Sequence, residues 1–348
     1  MKKTGKLLLI FGIIALVGAI AFGCTVAAFG VANANYGIQL LGFNIGGELP
    51  MGSAGIIIND NSNRITYDFE KNKTYSAELD GTGLSDINIE LASCKATVDC
   101  GDSNVIKLAY TTSSYPVEFI AECTDGILRI KERASGFSFL SFGTVKGSEL
   151  TLTVPKTLYN SINFDLASGK IATSDITSDN FRANVASGTL ELGIFAANTD
   201  INLASGKIIM NNCTENKADD IKINVASGKL EMNGFGADST DVQAASGSIV
   251  LTGISGKVKG ELASGKITLT YADWNDDLDL ELMSGGVDVT LPQGSGASID
   301  FEKLSGSMTV DLDGQSDKLT KNSRVTIGGS NVHEVKAETA SGSVSIHN

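Results

Sequence analysis

The sequence has few of the residues on which catalytic and metal sites usually depend. Its 348 residues include only two histidines, His333 and His347, and its five cysteines contain no Cys-x-x-Cys pair. A zinc site needs closely spaced His or Cys ligands, and a serine nucleophile needs a general base beside it. We therefore expect no enzyme activity, no bound metal and no cofactor.

Proline and tryptophan are scarce, whereas glycine is abundant. The chain has 4 Pro and 1 Trp against 39 Gly, and 42% of its residues are hydrophobic. This composition is typical of a folded protein made of many short segments that glycine turns connect. It favours β-structure.

Positive charge is scarce outside the extreme N-terminus. Lys2, Lys3 and Lys6 are the only charged residues before Glu48, so removing them from the net charge of −13 leaves −16 for the rest of the chain. Such a surface repels a phosphate backbone, and no basic stripe with interleaved aromatics is present. We expect no nucleic-acid partner.

An uncharged apolar segment follows these lysines. It runs from Leu7 to Ala32, long enough to cross the hydrocarbon layer of a membrane as a helix. Because lysines stay on the cytoplasmic side, the rest of the chain is predicted to be exported. Two processing alternatives remain open: signal-peptidase cleavage at Ala32-Asn33-Ala34, and a lipoprotein-type site ending at Gly23-Cys24.

An internal repeat dominates the downstream sequence. The tripeptide Ala-Ser-Gly or a close variant recurs, with its glycine at 169, 188, 206, 228, 247, 265, 285, 306 and 342. The spacing is about 20 residues until the last step, which is nearly double. We interpret the long step as one repeat, around Val325 to Gly329, that has lost its signature.

Apolar residues alternate on both sides of each tripeptide, as in strands. The positions three before and two after the glycine are apolar in most copies, for example Leu203 and Ile208. The odd step between them requires a bend, for which glycine supplies backbone freedom. The predicted fold is an all-β solenoid of stacked rungs with two short strands each, behind one N-terminal transmembrane helix. A sandwich of long hairpins is the alternative.

The segment from Ile89 to Val98 matches the same template, with Cys94 in place of the glycine. Cys94 and Cys100 could pair across a turn, although buried thiols are the simpler interpretation. Alternating segments between this copy and Gly169 are predicted to form hairpins that cap the stack. The expected organisation is a cytoplasmic stub and anchor (1–34), a spacer with the first strands (35–80), a capping part (81–160) and regular repeats (161–348).

The candidate functional residues are few. The structural corner of the repeat is predicted to consist of Ser168, Gly169, Ser187, Gly188, Ser205, Gly206, Ser227, Gly228, Ser246, Gly247, Ser264 and Gly265. Each serine hydroxyl is expected to bond a neighbouring rung or its own turn rather than to act as a nucleophile. The apolar residues Phe137, Phe139, Leu140 and Phe142 form a segment that either plugs the end of the stack or meets a partner or membrane.

Two weaker candidates concern charged residues. Lysine follows the repeat glycine at 170, 207, 229 and 266, giving a cationic row that is either solvated surface or a contact for anionic wall polymer. Two acidic groups, namely Asp273, Asp276, Asp277 and Asp279, and then Asp311, Asp313 and Asp317, are candidates for Ca²⁺ binding or, for the first group, glycan cleavage.

Residues 85 to 348 resemble the "putative adhesin" family of domain of unknown function 4097 (DUF4097), whose members carry Leu-x-Ile-x-x-Ala-Ser-Gly-x-Val-x-Val repeats. The matching strings include Ile162 to Ile171 and Ile221 to Leu230. The resemblance implies an all-β solenoid, often behind a membrane segment, with no catalytic residues and with an occasional link to envelope-stress response. Met283, Lys303 and Leu304 depart from the pattern, so we expect the stack to loosen or change partner near its C-terminal third.

Together these observations predict a membrane-anchored, extracytoplasmic adhesion or interaction scaffold of the bacterial envelope. Its expected partners are the membrane, through the N-terminal helix, and either a cell-wall component or a membrane signalling protein. The alternative is a carbohydrate-active enzyme or glycan-binding module on a β-helix, which would need acidic and basic side chains converging in one groove.

Overall fold

A computed structural model describes residues 38–40, 43–45, 55–60, 64–114, 116–134 and 147–348. In these ranges the regular structure is entirely β, so the predicted all-β class is confirmed. The same ranges contain no helix that is long and apolar enough to cross a membrane, and the predicted anchor lies outside them. Two compact units are present, divided after Ala196: an N-terminal unit and a C-terminal unit.

Within the described ranges, the N-terminal unit contains thirteen strands and the beginning of a fourteenth. They are β1 (Ile38–Leu40), β2 (Phe43–Ile45), β3 (Gly55–Asp60), β4 (Arg64–Asp68), β5 (Thr74–Asp80), β6 (Asp86–Leu91), β7 (Lys95–Gly101), β8 (Val105–Thr111), β9 (Val117–Thr124), β10 (Ile127–Ala134), β11 (Glu149–Pro155), β12 (Leu158–Leu166), β13 (Lys170–Val185) and β14 (Thr189–Leu203). The boundary between the units falls within β14.

The C-terminal unit continues with fifteen further strands. They are β15 (Lys207–Asn211), β16 (Ala218–Val225), β17 (Lys229–Asn233), β18 (Ala237–Ala244), β19 (Ser248–Ile254), β20 (Lys257–Leu262), β21 (Lys266–Tyr271), β22 (Leu278–Leu282), β23 (Gly286–Thr290), β24 (Ser295–Lys303), β25 (Ser307–Leu312), β26 (Gln315–Leu319), β27 (Ser323–Gly328), β28 (Asn331–Thr339) and β29 (Ser343–His347).

Each repeat forms one rung with a strand on either side of its tripeptide. Strands that precede the tripeptide pair in parallel in what we call the pre-corner ladder, where β16, β18, β20 and β22 follow one another. Strands that follow it pair likewise in the post-corner ladder, through β15, β17, β19, β21 and β23. Since each rung pairs the backbone edges of its neighbours, the rungs stabilise one another and none is stable alone.

The core lies between the two ladders of each unit. Alternate side chains point inward, as the burial pattern of β22 shows: Leu278, Leu280 and Leu282 are buried and the two residues between them are half-buried. In register along the pre-corner ladder, Ile223, Val242, Gly260 and Leu280 succeed one another. Gly260 leaves the room that Leu280 fills, because a Cβ atom at Gly260 would lie 2.9 Å from Leu280 Cδ2.

The rung order departs from the chain order at the C-terminal end. The last rung, β28 with β29, lies between the rung β22–β23 and the rung β24–β25, and pairs in parallel with both. The partner change that the departures at Met283 and Leu304 predicted is therefore present. Strands β27 and β26 then pair antiparallel with β24 and β25 and form the outer edges of the two ladders.

The predicted unmarked rung around Val325 to Gly329 is wrong. These residues belong largely to β27, which runs antiparallel to β24, with Ile299 opposite Val325. The step between the last two repeat glycines is long because the chain makes an antiparallel excursion before it returns to the stack. An antiparallel strand there also shields the edge of a parallel ladder.

The N-terminal unit has an out-of-order rung as well. The Cys94 repeat, β6 with β7, lies between the rung β12–β13 and the rung β10–β11. Strands β9 and β8 pair antiparallel with β10 and β11. The segment after Cys94 therefore contains antiparallel strands, as expected, but β10 and β11 themselves pair in parallel with the Cys94 repeat and form a further rung.

Candidate functional site: the repeated corner

The corner of each rung is fixed by hydrogen bonds to the preceding rung in the stack. The hydroxyls of Ser168, Ser187, Ser227 and Ser246 donate to the carbonyls of Ala92, Ala167, Ala204 and Ala226 at 2.9, 3.1, 3.1 and 3.2 Å. The backbone N–H of the same serines donates to the same carbonyls. A hydroxyl committed in this way positions the chain, because its proton is donated to a backbone carbonyl and not to a general base.

The corner glycines are required chiefly because neighbouring rungs approach closely. A Cβ atom at Gly265 would lie 2.0 Å from the carbonyl oxygen of Gly247, and one at Gly188 would lie 2.4 Å from Leu166 Cδ2. A positive φ is found at Gly169 (96°) and Gly285 (88°). The bend predicted from sequence is therefore present, but space limits the residue at these corners more often than backbone conformation does.

In the C-terminal unit the stacked corners border a shallow groove of about 550 Å³. We call it the corner groove. Its lining repeats one short motif from rung to rung: Ser205, Gly206, Ser227, Gly228, Lys229, Ser246, Gly247, Ser248, Gly265 and Lys266. Of the predicted corner residues in this unit, Ser264 alone is missing from the lining. Its backbone N–H donates to Ala245 O at 2.7 Å.

The lysines that follow the repeat glycines are paired with carboxylates on their own strand or on a neighbouring one. Lys229 Nζ lies 2.5 Å from Glu231 Oε1, and Lys207 Nζ lies 3.8 Å from Glu231 Oε2. Lys266 Nζ lies 3.8 Å from Asp288. Lys170 of the N-terminal unit pairs with Glu191 at 2.5 Å. The lysine row is thus largely neutralised, which weakens its attraction for polyanions.

Three of the seven acidic residues proposed for Ca²⁺ accept hydrogen bonds that hold the chain. Asp277 accepts a hydrogen bond from the backbone N–H of Glu334 at 2.8 Å, and Asp276 accepts one from that of Asp277 at 2.8 Å. Asp313 accepts from Gly294 N at 3.1 Å and from Asn348 Nδ2 at 2.9 Å. Throughout the described ranges, no group of three or more His, Cys, Asp or Glu side chains is placed to hold a metal ion.

A single tryptophan anchors the segment between β21 and β22. Trp274 is buried, and its Nε1 donates to the carbonyl of Gly296 at 2.9 Å. Asn331 Nδ2 donates to the carbonyl of Trp274 at 2.6 Å, and the ring of His333 meets the indole edge-on at 5.6 Å. The acidic segment therefore packs against the beginning of the terminal rung instead of forming an open site.

The corner at Cys94 differs from the others because a buried carboxylate supports it. Glu132 is 3% exposed and accepts hydrogen bonds from Tyr110 OH at 3.0 Å, from the Ser148 hydroxyl and from Ser93 N at 3.0 Å. Burial, followed by this carboxylate, raises the pKa of the Cys94 thiol. Cys94 is a free thiol in this structure, and no disulfide joins it to Cys100.

The apolar segment Phe137, Phe139, Leu140 and Phe142 lies outside the described residues. Its role as plug or contact remains a prediction.

Sequence reasoning missed a regular pattern of charge in the C-terminal unit. Six positions before each repeat glycine, in-register neighbours along the pre-corner ladder alternate strictly in sign; we call this the charge ladder. It comprises, in spatial order, Asp200, Lys222, Asp241, Lys259, Asp279, Lys336, Asp300 and, on the antiparallel edge strand, Arg324. Aligning the copies at this position would have revealed most of it. Opposite charges on facing residues stabilise the pairing, whereas like charges oppose it.

Comparison with known proteins identifies relatives of this architecture. The family model described as Toastrack DUF4097 matches residues 84–347. A "putative lipid binding protein" from Parabacteroides distasonis is 16% identical, with 83% of this chain and 99% of that chain covered and a TM-score of 0.48. A "putative adhesin" from the same species gives 12% identity, the same coverage and a TM-score of 0.48. Another from Bacteroides fragilis gives 13% identity, 79% and 97% coverage and a TM-score of 0.35. No curated protein matches the sequence.

Proposed function

Because this chain belongs to the Toastrack DUF4097 family, we propose that it is a non-enzymatic interaction scaffold, anchored in the bacterial membrane by its N-terminal helix and exposed to the envelope. The anchor rests on the uncharged segment from Leu7 to Ala32 and on the lysines before it. In this proposal the scaffold contacts a cell-wall component or a membrane signalling protein, through which it is linked to envelope-stress response.

The repetition of the corner groove is the observation that carries the proposal. Its lining presents serine and glycine at successive rungs, with Lys229, Ser248 and Lys266 after the glycines, so it offers similar positions along a line instead of one reactive centre. A surface of this kind suits an extended ligand that contacts several rungs. The corner serines already donate to neighbouring carbonyls, which supports a binding role over a catalytic one.

The small net charge of the groove favours a polar ligand over a highly charged one. Lys229 and Lys266 each lie near a carboxylate, so a ligand gains little from charge alone and more from hydrogen bonds with hydroxyls and ammonium groups. We therefore propose a polar, weakly charged chain, such as a wall glycan, as the ligand of the corner groove.

Binding is tested with the full-length chain in mild detergent, by co-sedimentation with purified cell-wall sacculi and separately with anionic vesicles. The variant Lys229→Glu/Lys266→Glu changes the groove. Lys217→Glu/Lys257→Glu is the matched control, because both lysines are exposed, belong to the same unit and lie outside the lining, and the change in net charge is the same. Saturable wall binding that the groove variant loses and the control keeps supports the proposal.

Two results would overturn parts of it. If the wild type is absent from both pellets, direct adhesion to wall or lipid is excluded, and a protein partner becomes the expected contact. If the groove variant and the control bind the wall equally, the corner groove is not the contact surface. Orientation is checked separately: protease added to intact spheroplasts should digest residues 55–348, and protection of this region would contradict export.

A further inference from the structure

The terminal rung occupies a slot whose two walls are both made earlier in the chain. The walls are the rung β22–β23 and the rung β24–β25, and the segment Asn331–His347 pairs with each of them along both of its strands. In a simple stack, β24–β25 would pair directly with β22–β23. Both walls precede this segment along the chain.

The walls carry charges that oppose direct contact between them. Asp279 and Asp300 both lie opposite Lys336, and Glu281 and Glu302 both lie opposite Glu338. If the walls paired with each other in the same register, the two aspartates would face each other. The two glutamates do not distinguish the arrangements, because Glu338 faces both of them in the observed one, where Lys336 Nζ lies 3.1 Å from Glu338 Oε1. Facing like charges destabilise strand pairing, so the walls disfavour closure and leave a slot for two strands.

The terminal rung supplies what the walls lack. Lys336 restores the alternating signs between Asp279 and Asp300, and His347 Nδ1 lies 3.6 Å from Asp288 Oδ1 on the wall strand β23. Val335, Ala337, Val344 and Ile346 are at most 2% exposed and complete the apolar interior at this level. The slot thus recognises a particular pattern of charge and apolar side chains.

A short glycine connection joins this rung to the rest of its unit. Strands β27 and β28 lie on opposite sides of β24, so residues 328 to 330 cross over the beginning of that strand. The crossing is tight: a Cβ atom at Gly329 would lie 2.2 Å from the carbonyl oxygen of Gly294. A terminal segment joined by one short, crowded crossing can redirect at that point and enter an equivalent slot elsewhere.

We propose that residues 331–347 are an exchangeable rung, and that the slot accepts the same segment from a second copy of this chain. When two copies exchange their rungs reciprocally, every contact within the slot is kept. Only the path of the chain at the crossing around Gly329 changes. Exchange would link scaffold molecules on the membrane surface without any additional binding surface.

The test uses two full-length chains with different tags, in which the five native cysteines are replaced by serine or alanine and one new cysteine is added to each. Ser298 on β24 and Glu334 on β28 are exposed and face each other in register. Ser298→Cys in one copy and Glu334→Cys in the other are therefore brought together stably only when the rung of one copy enters the slot of the other. The copies are mixed, held at rising concentration and temperature, oxidised, and assayed on non-reducing gels for the doubly tagged product.

A matched pair measures random cross-linking. Asp238→Cys replaces Ser298→Cys, because Asp238 is also exposed and lies on β18 of the same unit, away from the slot. We expect several-fold more doubly tagged disulfide from the slot pair than from this control, and lower yield when Lys336→Glu is added to the donor copy. Equal yields from both pairs, or co-purification of the tags without the slot disulfide, would overturn the proposal. Circular dichroism verifies that each variant is folded.

Discussion

The two units each contain a rung that is out of chain order, yet they secure it by different means. In the N-terminal unit the inserted rung β6–β7 is held at its corner by Glu132, a buried carboxylate with three hydrogen-bond donors. In the C-terminal unit the inserted rung β28–β29 is placed by half-exposed charges, with Lys336 between Asp279 and Asp300.

The two means differ in the free energy they contribute and in how well they distinguish one strand from another. A buried, fully bonded carboxylate is strongly destabilising to remove, because its donors then lie unpaired in the interior. Surface charges contribute little energy each, but a wrong partner turns attraction into repulsion. The N-terminal rung is therefore fixed, whereas the C-terminal rung is selected by sign, which is why only the latter is a candidate for exchange.

The largest expected effect is at Glu132. Glu132→Ala leaves Tyr110 OH, Ser148 Oγ and Ser93 N without their acceptor, so we expect a loss of about 3 kcal/mol of stability in the N-terminal unit. Hydrogen exchange of the amides of residues 86–101 measures it. Glu122→Ala, which removes a partly exposed partner of Arg129, is the control and should cost less than about 1 kcal/mol. Equal protection of these amides in the two variants would show that the buried network stabilises the rung no more than a surface ion pair does.

The next effect is at the crossing of the C-terminal unit. Gly329→Ala places a Cβ atom 2.2 Å from Gly294 O, so we expect a loss of about 2 kcal/mol through local overpacking. Trp274, the only tryptophan, reports unfolding of this unit by fluorescence. Gly286→Ala is the control, because its nearest contact would be an ordinary 3.5 Å, and its stability should stay close to that of the wild type. If both variants unfold alike, the crossing is not tightly constrained.

A smaller effect is expected at the charge ladder. Lys336→Glu places a carboxylate between Asp279 and Asp300, and we expect a loss of about 1–2 kcal/mol at low salt that shrinks as salt is added. Lys336→Gln separates repulsion from loss of attraction and should lie between the two. Tryptophan fluorescence during urea unfolding, at low and high salt, measures both. A salt-independent loss would assign the effect to packing.

The smallest effect depends on pH. Burial, and then the carboxylates of Glu261, Glu338 and Asp279, raise the pKa of Glu281 above its ordinary value of 4.5, against the opposing pull of Lys259. The folded state therefore binds this proton more tightly than the unfolded chain, and the ionised form is destabilising above the raised pKa. Glu281→Gln should be slightly more stable than the wild type at neutral pH. The gain should be less than about 1 kcal/mol, because solvent screens the repulsion between Glu281 and the neighbouring carboxylates.

The pH profile of that difference is the check. It should shrink as pH falls through the raised pKa of Glu281 and vanish near 4.5, where the unfolded chain also takes up its proton. If the difference in stability between Glu281→Gln and the wild type is constant from neutral to acidic pH, the stabilisation comes from the amide side chain and not from the lost charge.

Much of the fold could be predicted because its signals are local and repeated. The spacing of the corner glycines, and apolar pairs such as Leu203 and Ile208, correctly predict strands on both sides of a bend, with the inward residues buried. The Cys94 copy was found in the same way. The antiparallel strand at Val325 was missed because a strand's own sequence does not state which neighbour it pairs with.

The sequence by itself determined the β class, the rung length, the inward-facing residues and the polar corner, because each depends on period and on residues a few positions apart. Only the tertiary structure decided the order of the rungs, the neutralisation of the lysine row and the burial of Glu132. These depend on which distant segments become neighbours, and two strands of similar pattern are interchangeable until facing side chains such as Asp279, Lys336 and Asp300 distinguish them.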